Sequence, residues 1–279
     1  MLASDYPVKV ICKVVGLPRS SYYYSCSRRD ETPLIAAIQE AAAHFPTYGS
    51  RRLTHQVKRE VADLAPLGRK RVRRVMRENG LILRRKKQTR QTTNSQHSYP
   101  RYPNLVKGLI VTHPEEVWVC DITYIKLGKG EFVYLAIVMD VFTRAIRGWA
   151  LSQGLGAELA LAALNRALEC GKPEIHHSDQ GVQYAATDYV AVLKALGVEI
   201  SMAEVGHAEQ NGYAERVIRT IKEEEVYLSE YRDSEEALTQ IGDFIEDVYL
   251  RKRIHSSLGY MTPLEFEAQW KMKHAASIL

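Results

Sequence analysis

Apolar residues recur every three or four positions in the first third of the chain and in its last quarter. Between them they alternate or run together. The first pattern is helical and the second is that of strands. "LIAAIQEAAAHF" (34–45) and "SRRLTHQVKREV" (50–61) read as helices. "GRKRVRRVMRENGL" (68–81) sets Val72, Val75 and Met76 on one face among arginines, with Gly80 as a stop. Short helices with one basic member suit a helix-turn-helix module, the alternative being a solvated basic helix. "RRKKQTRQTTNSQHSYPRYPN" (84–104) is polar and basic and reads as a linker. Strands are expected at 117–125, 132–140, 144–151, 174–177 and 198–202. Helices fall between the later ones, at 156–171 and near 187–196. The order β-β-β-α-β-α-β predicts a mixed α/β sheet with flanking helices. From about residue 208 the chain is helical again. Thr262-Pro263-Leu264-Glu265 is a capping box with proline at the first helical position.

Charge changes the picture more than composition does. The 279 residues carry a net charge of +5, yet residues 1–110 hold 22 Lys/Arg against 7 Asp/Glu, and the remainder 16 against 26. A balance of +15 followed by one of −10 suggests a basic nucleic-acid-binding part joined to a part with different work. No apolar run is long enough for a membrane span, and the N-terminus lacks the layout of a secretory signal. The four cysteines form no CxxC pair, so reduced thiols and a cytoplasmic setting are expected rather than a zinc site.

Three carboxylates stand out, each with an ordinary reading beside it. Asp121 lies in the middle of the apolar "WVCDITYI", where an uncompensated charge is costly. An ion pair or hydrogen-bond cluster would explain it equally well. Asp179, in "IHHSDQGVQY", stands at a strand end, where an acid is usually a turn residue. Glu215, in "HAEQNGYAERVIRTIKEEEV", borders the apolar arc of Ala214, Val217, Ile218 and Ile221. At about 100° per residue Asn211, Arg219 and Lys222 lie on its side of the helix. Its plain reading is an i,i+4 partner of Arg219. Glu223, Glu224 and Glu225 read as solvent-facing or helix-end charges. Together the three acids supply what a two-metal phosphoryl-transfer site needs.

At these residues the chain resembles the DDE transposases of frameshifting bacterial insertion sequences, in their OrfB product, relatives of retroviral integrases. The stretches that carry the resemblance are "WVCDITYI", "YLAIVMDVFTRAIRGWAL", "HSDQGVQY", "NGYAERVIRTIKEEEV" and "RIHSSLGYMTP". The 35 residues between Asp179 and Glu215 match that family's acid spacing. "YGSRRLTHQVKRE" and "GRKRVRRVMRENGL" resemble the helix-turn-helix region that precedes the core.

The resemblance implies a ribonuclease H-like catalytic core, with Asp121, Asp179 and Glu215 binding Mg²⁺ (Mn²⁺ as substitute). It further implies Lys222, with Arg219, as DNA contacts on the catalytic helix. Linker residues Arg84, Arg85, Lys86, Lys87 and Arg90 are expected on DNA phosphates. The expected division is a helical DNA-binding region at 1–83, a basic linker at 84–110, the core at 111–230 and a C-terminal helical extension at 231–279. Asp140 reads as a hairpin-turn residue, and His177 as a residue that orients the site by a hydrogen bond. Ala208 and Gln210 depart from the proline and acid common in relatives, which puts the shape of their loop in question. The expected function is metal-dependent cleavage and strand transfer of an insertion sequence. The alternatives are an inactive DNA-binding repressor and a nuclease that cuts without joining. Expected partners are double-stranded DNA of element ends and target, further copies of the chain, and an upstream OrfA-type partner or fusion. "RIHSSLGYMTP" and the C-terminal helices are expected to help grip DNA or a second protomer.

Overall fold

The computed structural model describes residues 6–24, 30–64, 66–82, 100–128, 130–204 and 206–275. Helices α1 (Val8–Val15) and α2 (Arg19–Tyr22) lead into α3 (Thr32–His44), α4 (Ser50–Glu60) and α5 (Arg69–Glu78). The last three pack around Leu34, Ile38, Leu53, Val57, Val72, Val75 and Met76. The apolar face expected among the arginines of 68–81 is therefore buried, and the chain leaves α5 through Gly80 at φ +70°.

Strands β1 (Val117–Lys126), β2 (Phe132–Asp140), β3 (Ile146–Ser152), β4 (Ile175–Ser178) and β5 (Glu199–Met202) form one sheet in the order β3-β2-β1-β4-β5. The first three are antiparallel, and β4 and β5 run parallel to β1, the ribonuclease H-like arrangement. Helix α6 (Ala157–Leu168) crosses from β3 to β4. The short α7 (Val182–Ala185), absent from the sequence expectation, and α8 (Thr187–Ala195) join β4 to β5. One face of the sheet packs Trp118, Cys120, Ala136 and Val138 against α6 and α8. Gly148 allows that closeness, since a Cβ there would collide with the backbone of Ala163 and Ala167.

The other face is covered by α9 (Gly212–Ile221), α10 (Ser234–Asp243) and the turn that follows it, through Val217, Ile218, Ile221, Ala237, Ile241 and Phe244. The helices beyond residue 230 thus belong to the same core as the sheet. The final helix, α11 (Pro263–Ala275), starts with the expected capping box. The Thr262 N–H donates to Glu265 (2.9 Å) and the Glu265 N–H to Thr262 Oγ1 (3.2 Å). Arg147 of β3 bonds Glu267 (2.8 Å), tying α11 to the sheet.

"RIHSSLGYMTP" joins the two ends of the chain. Ile254 is buried in the core of α3–α5, and its N–H donates to Tyr48 Oη (3.0 Å). Tyr260 stacks on His55, and Arg59 pairs with Glu265 (2.6 Å). The expectation for the glutamates of 223–225 needs correcting. Glu224 is largely buried, gripped by Arg253 at 2.6 and 2.7 Å and by Arg52 at 3.2 Å. Glu225 accepts hydrogen bonds from Ser229 and Tyr231. The helix period places these acids on its polar side. What covers that side is α4 and the 253–255 turn, which local sequence does not announce.

Two buried imidazoles make stability depend on pH. Burial, with Arg253, Arg52 and Arg144 beside it, pushes the His255 pKa down to about 2. Burial, with His177 next to it, pushes that of His176 down to about 3. Below an ordinary value near 6.5 the unfolded chain takes up protons that the folded chain refuses. Stability is therefore full above that pH and falls as pH drops, with a limiting slope of about 1.4 kcal/mol per pH unit for each histidine. His255→Gln should lose its melting temperature less steeply than the wild type below pH 6.5. An unchanged slope would mean that His255 is protonated in the fold at that pH.

Candidate active site

Strand alternation aims Asp121 at α9. It shares parity with Val117, Val119 and Ile125, which line the core on that face, while Trp118 and Cys120 point to the opposite one. It lies on the central strand, paired with Ile137 of β2. Its Oδ1 accepts the N–H of Ile122 at 2.8 Å.

Asp179 arrives from β4. That strand pairs with β1 in parallel, Val119 opposite His177, and the same register carried two residues further sets Asp179 beside Asp121. The turn reading of Asp179 also holds, because its Oδ1 accepts the Gly181 N–H at 2.9 Å. A Cβ on Gly181 would come within 2.9 Å of that same oxygen, so the glycine leaves room for the carboxylate to fold over the turn. One residue serves the turn and faces the strand acid.

Glu215 stands in the first turn of α9, half-buried. Among the described residues no ion pair joins it to Arg219, which is exposed, so the i,i+4 pairing is not formed. Asn211 anchors this helix. It is 3% exposed and its Nδ2 donates to the Cys120 carbonyl at 2.9 Å, next to Asp121 in the chain. The helical projection put Asn211 on Glu215's side, but only the contact shows that it fixes α9 against β1. The loop before α9 is held by Gln210. Its Oε1 accepts from Asn104 and from the Glu204 N–H, each at 2.7 Å. The Gln210 amide therefore braces the loop.

At Ile221 the helix widens into a turn over Lys222–Val226, with the Tyr227 N–H reaching the Lys222 carbonyl at 2.8 Å. Such bulges are common at functional sites. This one follows Lys222, whose Nζ lies 4.6 Å from the centre of the Tyr124 ring on β1. Burial pulls the Lys222 pKa below the usual ammonium value, against the attraction of Asp121. Tyr124 was not foreseen as part of the site. It lies three residues after Asp121 in the same strand, and the π face it offers Lys222 is a tertiary contact.

These groups meet electrostatically at Asp121, whose pKa is pushed up to about 8. Burial is the main cause, Asp179 and then Glu215 raise it further, and the Ile122 N–H and Lys222 oppose the rise. Among the described residues no three His, Cys, Asp or Glu side chains already stand around one point as a metal cage. The acids are neighbours that repel one another across a gap. Their donor atoms are all carboxylate oxygens, as a hard divalent cation prefers, and a cation between them would remove the repulsion that lifts Asp121. The residues present therefore fit a divalent metal.

Other expected residues fall elsewhere. His177 does not orient the acids: its Nδ1 bonds Ser201 on β5 at 2.8 Å, and burial pushes its pKa down to about 4. His177 stands opposite Ser201 in the β4–β5 register, and that neighbour takes its Nδ1 although the ring shares its side of the strand with Asp179. Asp140 is a turn residue, fully buried, accepting from Thr143 and from the Glu115 N–H. Arg84, Arg85, Lys86, Lys87 and Arg90 lie outside the described residues.

Comparison with known proteins identifies the family of the chain. Integrase core domain families match residues 111–208 and 196–263, and an HTH-like domain matches residues 28–89. The chain is 35% identical over 272 residues to the insertion element IS600 uncharacterized 31 kDa protein of Shigella sonnei, covering 93% of this chain and 98% of that protein. It is 30% identical over 280 residues to transposase InsF for insertion sequence IS3A of Escherichia coli K12, covering 95% of each. Among solved structures, the HTLV-2 integrase catalytic core domain aligns with a TM-score of 0.45 at 16% identity, over 56% of this chain and 97% of that one.

Proposed function

The chain belongs to the insertion-sequence transposases that carry an integrase core domain, and from that membership we propose that Asp121, Asp179 and Glu215 are its catalytic carboxylates. The observation that supports this reading is that Asp179 and Glu215, distant in the chain, both raise the pKa of the buried Asp121 carboxyl on the central strand. Bound Mg²⁺, for which Mn²⁺ can substitute, supplies charge neutralisation and Lewis acidity at the scissile phosphate.

The protein's own part is positioning. The central strand holds Asp121, the β4 turn holds Asp179, and Asn211 fixes the helix that carries Glu215. Lys222, held over Tyr124, brings a positive charge beside these acids, where a DNA strand would pass. Arg219 is exposed about one turn earlier on the same helix and contacts the backbone of the same DNA. Water attacks the phosphodiester at the element end, and the freed DNA 3′-hydroxyl then attacks the target strand. No protein nucleophile is needed.

The DNA partners are element ends and target. The helix-turn-helix-like region binds the former, the chain acts in the cytoplasm on nucleoid DNA, and copies of it pair two ends with the help of an upstream OrfA-type partner or fusion. No helix among the described residues is long and apolar enough to cross a membrane.

A strand-transfer assay with labelled element ends tests the reading. Cut and joined products support it. Cutting alone would make the protein a nuclease, and binding without cutting a repressor.

The linker gives a separate prediction. Neutralising Arg84, Arg85, Lys86, Lys87 and Arg90 should weaken binding to every DNA sequence. It should also reduce the log–log salt slope by about one unit for each phosphate no longer engaged. An unchanged slope would leave the run as a solvated spacer.

A further inference from the structure

The side of α9 that turns away from the acids lines a second cleft, of about 240 Å³. Tyr213, Arg216, Val217 and Thr220 recur every three or four residues and form one stripe of the helix, which is the cleft's floor. Arg144 from the β2–β3 turn, Arg52 from α4, and Arg253 with His255 from the "RIHSSLGYMTP" stretch make its walls. Four guanidinium groups therefore face one space. Among the described residues, the only carboxylate bonded to any of them is Glu224. Glu224 is already shared between Arg52 and Arg253, which leaves Arg144 and Arg216 without a carboxylate from those residues.

Arg144 adds a second, independent sign. Its Nη1 is buried with no hydrogen-bond partner among the described residues, although its guanidinium lies 4.1 Å over the Tyr213 ring. A buried donor left open in this way calls for an unseen acceptor. The backbone of Arg144 is held at φ +63°, a conformation that few residues other than glycine adopt, and its carbonyl accepts from Tyr249 Oη at 3.0 Å. The side chain is thus aimed into the cleft by a turn built around it. The surplus positive field is also felt at His255, where Arg253, Arg52 and Arg144 add to burial in keeping the ring neutral. A neutral ring can accept from Arg253 Nη1, which holds that guanidinium in the wall (3.1 Å).

We propose that this cleft is a phosphate-binding site, with Arg144 and Arg216 as its ligating residues and Arg52 and Arg253 as supporting charge. Guanidinium forks match tetrahedral phosphate oxygens better than any other side chain does. The site gathers α4, the β2–β3 turn, α9 and the C-terminal turn, so one phosphate engages both the helical N-terminal region and the sheet. Its source is a DNA backbone phosphodiester or a small phosphate compound. The DNA source rests on the transposase reading, while the pocket itself does not.

The test uses the full chain, its Arg144→Gln and Arg216→Gln variants, and the double variant. Arg216 is exposed on its helix, so its replacement leaves the fold's core untouched. Inorganic phosphate, compared with chloride at equal ionic strength, should raise the melting temperature of the wild type and leave that of the double variant unmoved. Fluorescence anisotropy with duplex DNA should show about tenfold weaker binding in the double variant and a salt slope lower by about one to two units. Phosphate should displace DNA more effectively than chloride does. Phosphate stabilisation with unaltered DNA binding would assign the pocket to a small phosphate compound and overturn the backbone source. Equal melts in phosphate and chloride, with unchanged DNA binding, would overturn the proposal. Failure here would leave cleavage dependent on Asp121, whereas failure of the transposase reading would show in the strand-transfer assay instead.

Discussion

Asp121→Asn, Asp179→Asn and Glu215→Gln should each lower DNA strand cleavage by about a thousandfold or more while leaving DNA affinity nearly unchanged. Each substitution removes one charged oxygen donor and keeps the shape of the side chain. Loss of a metal's charge stabilisation at the transition state is worth several kcal/mol, and about 4 kcal/mol corresponds to a thousandfold in rate. Affinity should hold because it comes from the basic groups, which the substitutions leave in place, and it should even rise a little as a negative charge leaves the site. Asp121→Asn has a further consequence in the metal-free protein. Its carboxyl is pushed up to about 8 by burial and by its two acidic neighbours, so the substitution relieves that repulsion and should not lower the melting temperature. Gel-based cleavage and binding assays, with a melt on each variant, decide the matter. Near-normal cleavage in Mg²⁺ by any one variant would remove that residue from the catalytic set.

Glu224→Gln should cost about 3–5 kcal/mol of stability, the usual penalty for breaking a buried ion pair from one side. Arg253 is only 3% exposed at its side chain and makes its two short bonds, 2.6 and 2.7 Å, to this carboxylate. Without the charge, Arg253 and Arg52 repel each other inside the joint between α4 and the C-terminal turn. At about 2–4 °C per kcal/mol for a chain of this size, the melting temperature should fall by roughly 10 °C. Glu230→Gln, at an exposed position shortly after the acidic run, is the control and should change it by less than about 2 °C. Equal shifts in the two variants would mean that Glu224 is a surface charge, as its sequence context suggests.

That contrast marks where local pattern stops. Periodicity along the chain determined the helices of residues 32–78, the five strands as they follow one another in the chain, and the capping box at Thr262, because each depends on neighbours within a few residues. Asp121 was conspicuous because a charge in an apolar strand needs compensation whatever the fold. Its partners were legible as candidates, and the family resemblance tied them to it as a set. They lie tens of residues away, and a period says which face a residue takes but not what will cover it.

Tertiary structure alone decided the rest. It set Asn211 on the Cys120 carbonyl and Lys222 over Tyr124, and it turned His177 to Ser201 instead of to the acids. It also made α9 and the acidic run that follows it do three things. The Glu215 charge is felt at Asp121, Glu224 locks two arginines into the joint, and the stripe from Tyr213 to Thr220 floors a basic cleft. The physical reason is that a helix shows a different face about every 100°. The sequence prescribes those faces, and only the packing of elements far apart in the chain chooses which of them meets a strand, an arginine or open solvent.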